Sequence, residues 1–144
     1  MSNMNIAVIG PGSIGLLFSG FLIQNDVDIT LIDHRKERAE MLNKKGITWE
    51  GLDSEKHLKI PVSHGISKSD NFDLIMLCVK AYQTEIVAKE LEKIKYDGII
   101  LTLQNGLGNV EILQKYLPGA QILAGITSEG ANMVEDGHVR HAGR

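Results

Sequence analysis

The stretch "NIAVIGPGSIGLLFSGFLIQN" (residues 5–25) constrains the fold of this chain more than any other. A short apolar run, Ile6 to Ile9, reaches a turn holding Gly10, Pro11, Gly12, Ser13, Ile14 and Gly15. The chain leaves that turn with Ile14, Leu17, Phe18, Phe21 and Leu22 at helical spacing. A buried strand that feeds a helix through a G-x-G-x-x-G turn gives each glycine a task. Gly10 permits the tight turn, Gly12 lets a pyrophosphate approach the backbone, and Gly15 lets helix and strand pack closely. The helix N-terminus offers unpaired N–H groups and the positive end of its dipole to an anion. Asp33 follows, eighteen residues past Gly15 at the end of the next strand, where an acid bonds the hydroxyls of an adenine ribose. The turn alone also fits a close-packed corner with no ligand. With strand, helix and acid in place, the reading is dinucleotide binding.

The rest of the chain repeats the alternation. Strands are predicted at 28–33, 73–79, 98–103 and 121–127, and helices at 35–45, 83–94 and 109–117, the first of these stopped by Gly46. "GITWE" and "HLKIPVS" read as two short strands of a connecting excursion. Strands that alternate with helices at this spacing build βαβ units. The expected fold is therefore α/β, a Rossmann-type doubly wound, mainly parallel sheet with helices on both faces, forming one dinucleotide-binding domain over residues 1–144. The tail departs from this pattern: "NMVEDGHVRH" alternates around Asp136-Gly137, a dipeptide suited to a hairpin turn.

Composition narrows the function. The chain has 144 residues, 43% hydrophobic and 23% charged, with net charge −3. That is ordinary for a globular domain. Its Lys and Arg residues are spread rather than clustered, which argues against nucleic acid as a partner. The longest near-apolar run, Ile14 to Ile23, spans ten residues where a membrane helix needs about twenty, so no membrane partner is expected. The lone Cys78 cannot form an internal disulfide, which fits a reducing, cytoplasmic setting. No Cys cluster or histidine set points to a metal; His138 and His141, three apart in the predicted hairpin, should face opposite ways. A short-chain dehydrogenase would need Tyr-x-x-x-Lys, and Tyr82, Tyr96 and Tyr116 each lack the lysine.

In a doubly wound sheet, ligands lie beyond the carboxyl ends of the strands. Polar residues gather there: Lys80 after 74–79, Gln104-Asn105-Gly106 after 98–103, and Thr127-Ser128-Glu129-Gly130 after 121–125. The combination "GPGSIG", "CVKAYQT", "LQNGLGN", "GITSEGA" and "HAGR" resembles the ketopantoate reductase (2-dehydropantoate 2-reductase) family over nearly the whole chain. The resemblance implies reduction of 2-dehydropantoate to (R)-pantoate with NADPH, in pantothenate and coenzyme A biosynthesis. It implies that Lys80 and Asn105 sit beside the nicotinamide and contact the substrate, and that Ala131 touches the cofactor. A small 2-keto acid is then the expected substrate, and a homodimer stays open. The chemistry agrees on charge, since a keto acid is anionic and its carbonyl oxygen gains negative charge as hydride arrives; a cation and an amide donor stabilise that change.

Two points pull in different directions. The family places an arginine near the end of the second strand for the 2′-phosphate of NADP(H). Here the stretch reads Asp33-His34-Arg35-Lys36, with His34 in the arginine's place. Asp33 would bond the free ribose hydroxyls of NAD(H) and repel a phosphate, while Arg35 and Lys36 can reach one. Reduced discrimination between the two is the expectation. The rival reading is a stand-alone NAD(H)-sensing module of the potassium-transport regulator type, which needs no hydride-receiving groups at the later strand ends. The resemblance further implies a helical substrate domain that carries the general acid. Residues 1–144 alone are expected to bind cofactor without turnover.

Overall fold

The computed structural model describes residues 3–143. In chain order the elements are β1 (Ile6–Ile9), α1 (Ser13–Gln24), β2 (Ile29–Ile32), α2 (Lys36–Lys45), β3 (Ile47–Glu50), β4 (Glu55–Leu58) and β5 (Val62–Ser63). Then come β6 (Leu74–Leu77), α3 (Thr84–Lys93), β7 (Ile99–Thr102), α4 (Asn109–Tyr116), β8 (Gln121–Ala124), β9 (Gly130–Glu135) and β10 (His138–Gly143). Among the described residues no helix is long and apolar enough to cross a membrane.

Six strands form one sheet in the order β5-β2-β1-β6-β7-β8, and every neighbouring pair is parallel. This is the strand order of a dinucleotide-binding doubly wound sheet, and the order reverses between β1 and β6. Both faces of the sheet are buried, as the two-residue period of β1 shows. Ile6 and Val8 join Leu16, Leu17 and Leu31 in one core, while Ala7 and Ile9 join Val87, Ala88, Leu91, Ile100 and Leu113 in the other. The first core belongs to α1 and the second to α3 and α4.

The excursion and the tail hairpin, which look unrelated in sequence, meet in a second sheet ordered β4-β3-β10-β9. β10 runs parallel to β3, with Thr48 opposite His138 and Trp49 opposite Val139. This sheet covers the outer side of α1. Trp49 donates its indole N–H to the Leu17 carbonyl at 3.1 Å and meets the Phe21 ring edge-on at 5.2 Å. Gly20 is where it is because Trp49 lies on it: a Cβ there would stand 2.1 Å from the indole. A helix caught between two sheets is apolar all round, which accounts for the run from Ile14 to Ile23.

Three segments depart from the sequence expectation by more than a residue at an end. The strand expected at 73–79 ends at Leu77. Its neighbour β1 stops at Ile9, and the Cys78 N–H donates to the Ile9 carbonyl as the last bond before Gly10 turns away. The strand expected through 127 ends at Ala124, because the Gly125 bond to the Thr102 carbonyl exhausts β7. "HLKIPVS" splits in two: Pro61 lacks an N–H, so β4 pairs with β3 while Val62 and Ser63 pair with β2 in the main sheet.

Candidate active site

The glycine turn lies where the strand order reverses. Gly10 has φ +108°, a conformation open to glycine, and its N–H donates to the Ile32 carbonyl at 3.1 Å. A Cβ on Gly15 would lie 1.9 Å from the Gly10 carbonyl oxygen, so the first turn of α1 rests directly on the turn that precedes it. Gly12 is different. Its φ of −83° suits any residue, and beyond its two chain neighbours no protein atom lies within 4 Å of where its Cβ would be. Space is therefore kept in front of Gly12. α1 begins there with no side-chain cap and no acid in its first turn. An uncapped helix start that faces open space suits a pyrophosphate.

Beside the turn, a cleft of about 550 Å³ opens between β2 and α3. Ile9, Gly10, Ile32, His34, Ile66 and Ile86 are among its lining residues. The backbone carbonyl of His34 shares a hydrogen bond with His64 Nε2 at 3.0 Å, which ties the end of β2 to the loop after β5. An apolar cleft next to the glycine turn fits an adenine. Sequence reading missed His64 and Ile66, which come from a segment with no motif, and Ile86, which lies in the helix expected at 83–94 but was not singled out.

Asp33, expected to face a ribose, is turned into the fold. Its side chain is fully buried. Arg38 of α2 donates to it twice, from Nε at 2.6 Å and Nη2 at 2.9 Å, and the Arg35 backbone N–H adds a third bond at 2.9 Å. Burial raises the Asp33 pKa, but the Arg38 hydrogen bond, the Arg35 N–H and the Arg38 charge outweigh it and hold the carboxyl below its ordinary value. His34 and Arg35 stay exposed at the strand end. Sequence could not give this orientation, and Arg38 was not singled out.

On the other side of the reversal, Lys80 and Asn105 follow the adjacent parallel strands β6 and β7, and both are exposed. A closed set of hydrogen bonds, buried at Thr84–Asn109 and part-buried elsewhere, joins their loops. Gln104 Nε2 donates to the Val79 carbonyl at 3.0 Å and to Thr84 Oγ1 at 2.7 Å. The Thr84 hydroxyl donates to Asn109 Oδ1 at 2.9 Å, and the Thr102 hydroxyl donates to Gln104 Oε1 at 2.9 Å. Asn109 Nδ2 closes the set on the carbonyls of Asn105 and Gly106, each at 3.3 Å. Cross-linked polar groups of this kind fix loop positions. The lysine and the amide are therefore presented from one braced platform.

Ala131 lies at the start of β9, opposite His141, half-buried against the core around α1. Glu129, expected among the strand-end polar groups, instead pairs with His141 at 2.6 Å, and the His141 ring stands edge-on to Phe21 at 5.5 Å. Burial pushes the Cys78 thiol up to about 12, away from the thiolate form that reacts. Among the described residues one trio of ligand-type atoms converges, Glu50, Glu55 and His138, all within 4.8 Å of one another. Arg140 and His138 already engage Glu50, so that carboxylate is neutralised from within.

Sequence comparison agrees with this geometry. The family described as "Ketopantoate reductase PanE/ApbA" matches residues 6–144. A 2-dehydropantoate 2-reductase of Halobacterium salinarum is 36% identical over 141 residues, 97% of this chain and 46% of that protein. The corresponding protein of Pyrococcus horikoshii is 37% identical over 142 residues, 98% of this chain and 45% of its own length. Among solved structures, a D-mandelate dehydrogenase in ternary complex with NADH and anilino(oxo)acetate superposes with TM-score 0.88 at 31% identity, covering 97% of this chain and 46% of that one. A PanE/ApbA family ketopantoate reductase from Ralstonia eutropha gives TM-score 0.86 at 27% identity, over 98% and 47% of the two chains. The chain spans about half the length of the curated relatives it matches. With a glycine turn at the reversal of a six-stranded parallel sheet and a match from residue 6 onward, the chain belongs to the ketopantoate reductase family.

Proposed function

We propose that this chain is the dinucleotide-binding domain of a reductase that converts a small 2-keto acid, 2-dehydropantoate, to its (R)-2-hydroxy acid with NADP(H), with NAD(H) as the competing cofactor. One observation carries the reading: the open space before Gly12 and the braced Lys80–Asn105 platform flank the same strand-order reversal, from opposite sides. Gly10 to Gly15 and the start of α1 would hold the pyrophosphate, and the cleft at Ile32, His34 and Ile66 the adenine. Ala131 would meet the cofactor from β9, as it does by resemblance.

The bound dinucleotide supplies the hydride. The work of this chain is electrostatic. The Lys80 ammonium draws in an anionic keto acid and, with the Asn105 amide, stabilises the charge that grows on the carbonyl oxygen. Gln104, Thr84 and Asn109 act as positioning residues, because they hold the two loops that present these groups. The proton that completes the alcohol comes from the substrate-binding portion expected in the whole protein. Tyr82, Leu107 and Ile126, large apolar side chains exposed on the loops of this same edge, suit burial against such a portion. Residues 1–144 alone should then bind cofactor without turnover.

A second reading takes the D-mandelate dehydrogenase likeness at face value, with an aromatic 2-keto acid and NADH as the pair. Isothermal titration of residues 1–144 with NADPH and NADH tests the binding claim, and no heat of binding with either would overturn it. Turnover of 2-dehydropantoate against the keto acid of mandelate by the whole protein separates the two substrates.

A further inference from the structure

We propose that Arg38 decides which nicotinamide dinucleotide this chain prefers: by holding the Asp33 carboxylate inside the fold, it takes the acid away from the ribose and leaves the strand end to a 2′-phosphate. The inference rests on the reading that Gly10 to Gly15 hold a dinucleotide.

An acid at the end of the second strand favours NAD(H) in two ways: it bonds the ribose hydroxyls, and it repels a phosphate placed there. Both actions need a carboxylate that faces the ligand. The Asp33 carboxylate is fully buried, and its two oxygens accept three N–H bonds, two from Arg38 and one from the Arg35 backbone. A fork-shaped guanidinium paired to a carboxylate in this way is a strong and oriented contact. The pair also cancels the charge that would repel a phosphate.

Arg38 is itself held from the far side. Its Nη1 lies 3.7 Å from Asp136 Oδ1, on the turn between β9 and β10. The tail hairpin thus backs the residue that withdraws Asp33. What remains at the surface of the strand end includes two cations, Arg35 and Lys36, beside the exposed ring of His34 and the Glu37 carboxylate in the first turn of α2. Arg35 approaches Asp136 only at 4.0 Å, with both side chains about half-exposed, so a phosphate can compete for it. His34 lines the cleft beside Gly10 and Ile32. Of the competing charges in Asp33-His34-Arg35-Lys36, the acid is turned inward and the two cations stay at the surface.

The test is a pair of dissociation constants, for NADPH and NADH, measured by nicotinamide fluorescence on the wild-type chain and on variants. The wild type should favour NADPH by about tenfold or more, the scale of one charge-assisted contact. Asp33→Asn should leave NADH affinity within about twofold, because the carboxylate makes no ribose contact to lose. Arg38→Gln frees the carboxylate and should move the NADPH/NADH ratio about tenfold toward NADH. Arg38→Lys keeps a cation but loses the fork, and Asp136→Asn loosens the outer hold. Both should move the ratio the same way by less, and they serve if Arg38→Gln does not fold. A wild type that favours NADH, an Asp33→Asn variant that loses NADH tenfold, or a ratio unmoved by the Arg38 variants overturns the proposal. Failure of the wild type to bind either dinucleotide would instead remove the functional reading on which it rests.

Discussion

Two glycines of the same turn should fail in opposite ways when a methyl group is added. A Cβ on Gly12 meets no protein atom within 4 Å beyond its chain neighbours, and the φ of −83° is ordinary, so Gly12→Ala should cost the fold at most about 0.5 kcal/mol. The same methyl group enters the space kept before the first turn of α1. Pushing a pyrophosphate off a single helix-start N–H forfeits one charge-assisted hydrogen bond, about 1.5–3 kcal/mol, or roughly ten- to 150-fold in Kd. Gly15→Ala reverses the pattern. Its Cβ would stand 1.9 Å from the Gly10 carbonyl oxygen, a backbone atom that cannot swing aside, so α1 must be displaced from the turn by more than an ångström. Overpacking of this severity costs about 3 kcal/mol, which lowers Tm by roughly 6–12 °C in a chain of this size. The assays are differential scanning calorimetry and isothermal titration with NADPH on both variants. Gly12→Ala with a depressed Tm and intact binding, or Gly15→Ala with an unchanged Tm, would refute this account of the turn.

Other perturbations follow from the same geometry. Gln104→Met strands the Val79 carbonyl, Thr84 and Thr102 in a buried setting and should cost about 2–3 kcal/mol, read by urea unfolding; a loss under 0.5 kcal/mol would mean the loops are not braced there. Trp49→Ala uncovers Gly20 and the Leu17 carbonyl and should destabilise by about 3–5 kcal/mol in the same assay, while a near-neutral result would detach the second sheet from α1. Asp33 has an ordinary pKa of 3.8, lowered in the fold, so its contribution to stability is complete above about pH 5 and is lost as pH falls below 3.8 toward the folded value. The stability difference between wild type and Asp33→Asn should therefore be constant from pH 5 to 7 and shrink toward pH 3. A difference that grows on acidification contradicts the Arg38 pairing.

Five of the six strands of the parallel sheet were legible because each is a local event, an apolar run between turn residues; β5, only Val62 and Ser63, was not, and its segment read as part of the excursion. Strand ends were less legible, since a strand stops where its neighbour stops; Cys78 and Val79 are as apolar as Leu77 but have no partner beyond Ile9. The hairpin at Asp136-Gly137 was readable from its turn, yet its place was not, because β10 pairs with β3 and nothing local in "HVRH" names "ITWE" as its partner. Lys80 and Asn105 could be found at strand ends by counting. Asp33 could not be oriented by counting, because a carboxylate that faces a ribose and one that faces Arg38 occupy the same position in a sequence. The cleft residues His64 and Ile66 came from a stretch that carries no period at all.

The parallel pairing of β10 with β3 also sets an order of events as the chain is made. Thr48 waits for His138, ninety residues later, before its strand has a second neighbour. Until then the side of α1 that carries Phe21, and the Trp49 ring that covers Gly20, lack the β9–β10 side of their shelter. The glycine turn emerges from the ribosome first, yet the helix it opens is among the last elements to be enclosed. Contacts this distant in sequence slow folding and lengthen the life of sticky intermediates. A polypeptide halted before residue 138 would therefore hold every segment of the proposed nucleotide cradle and still be a client for chaperones.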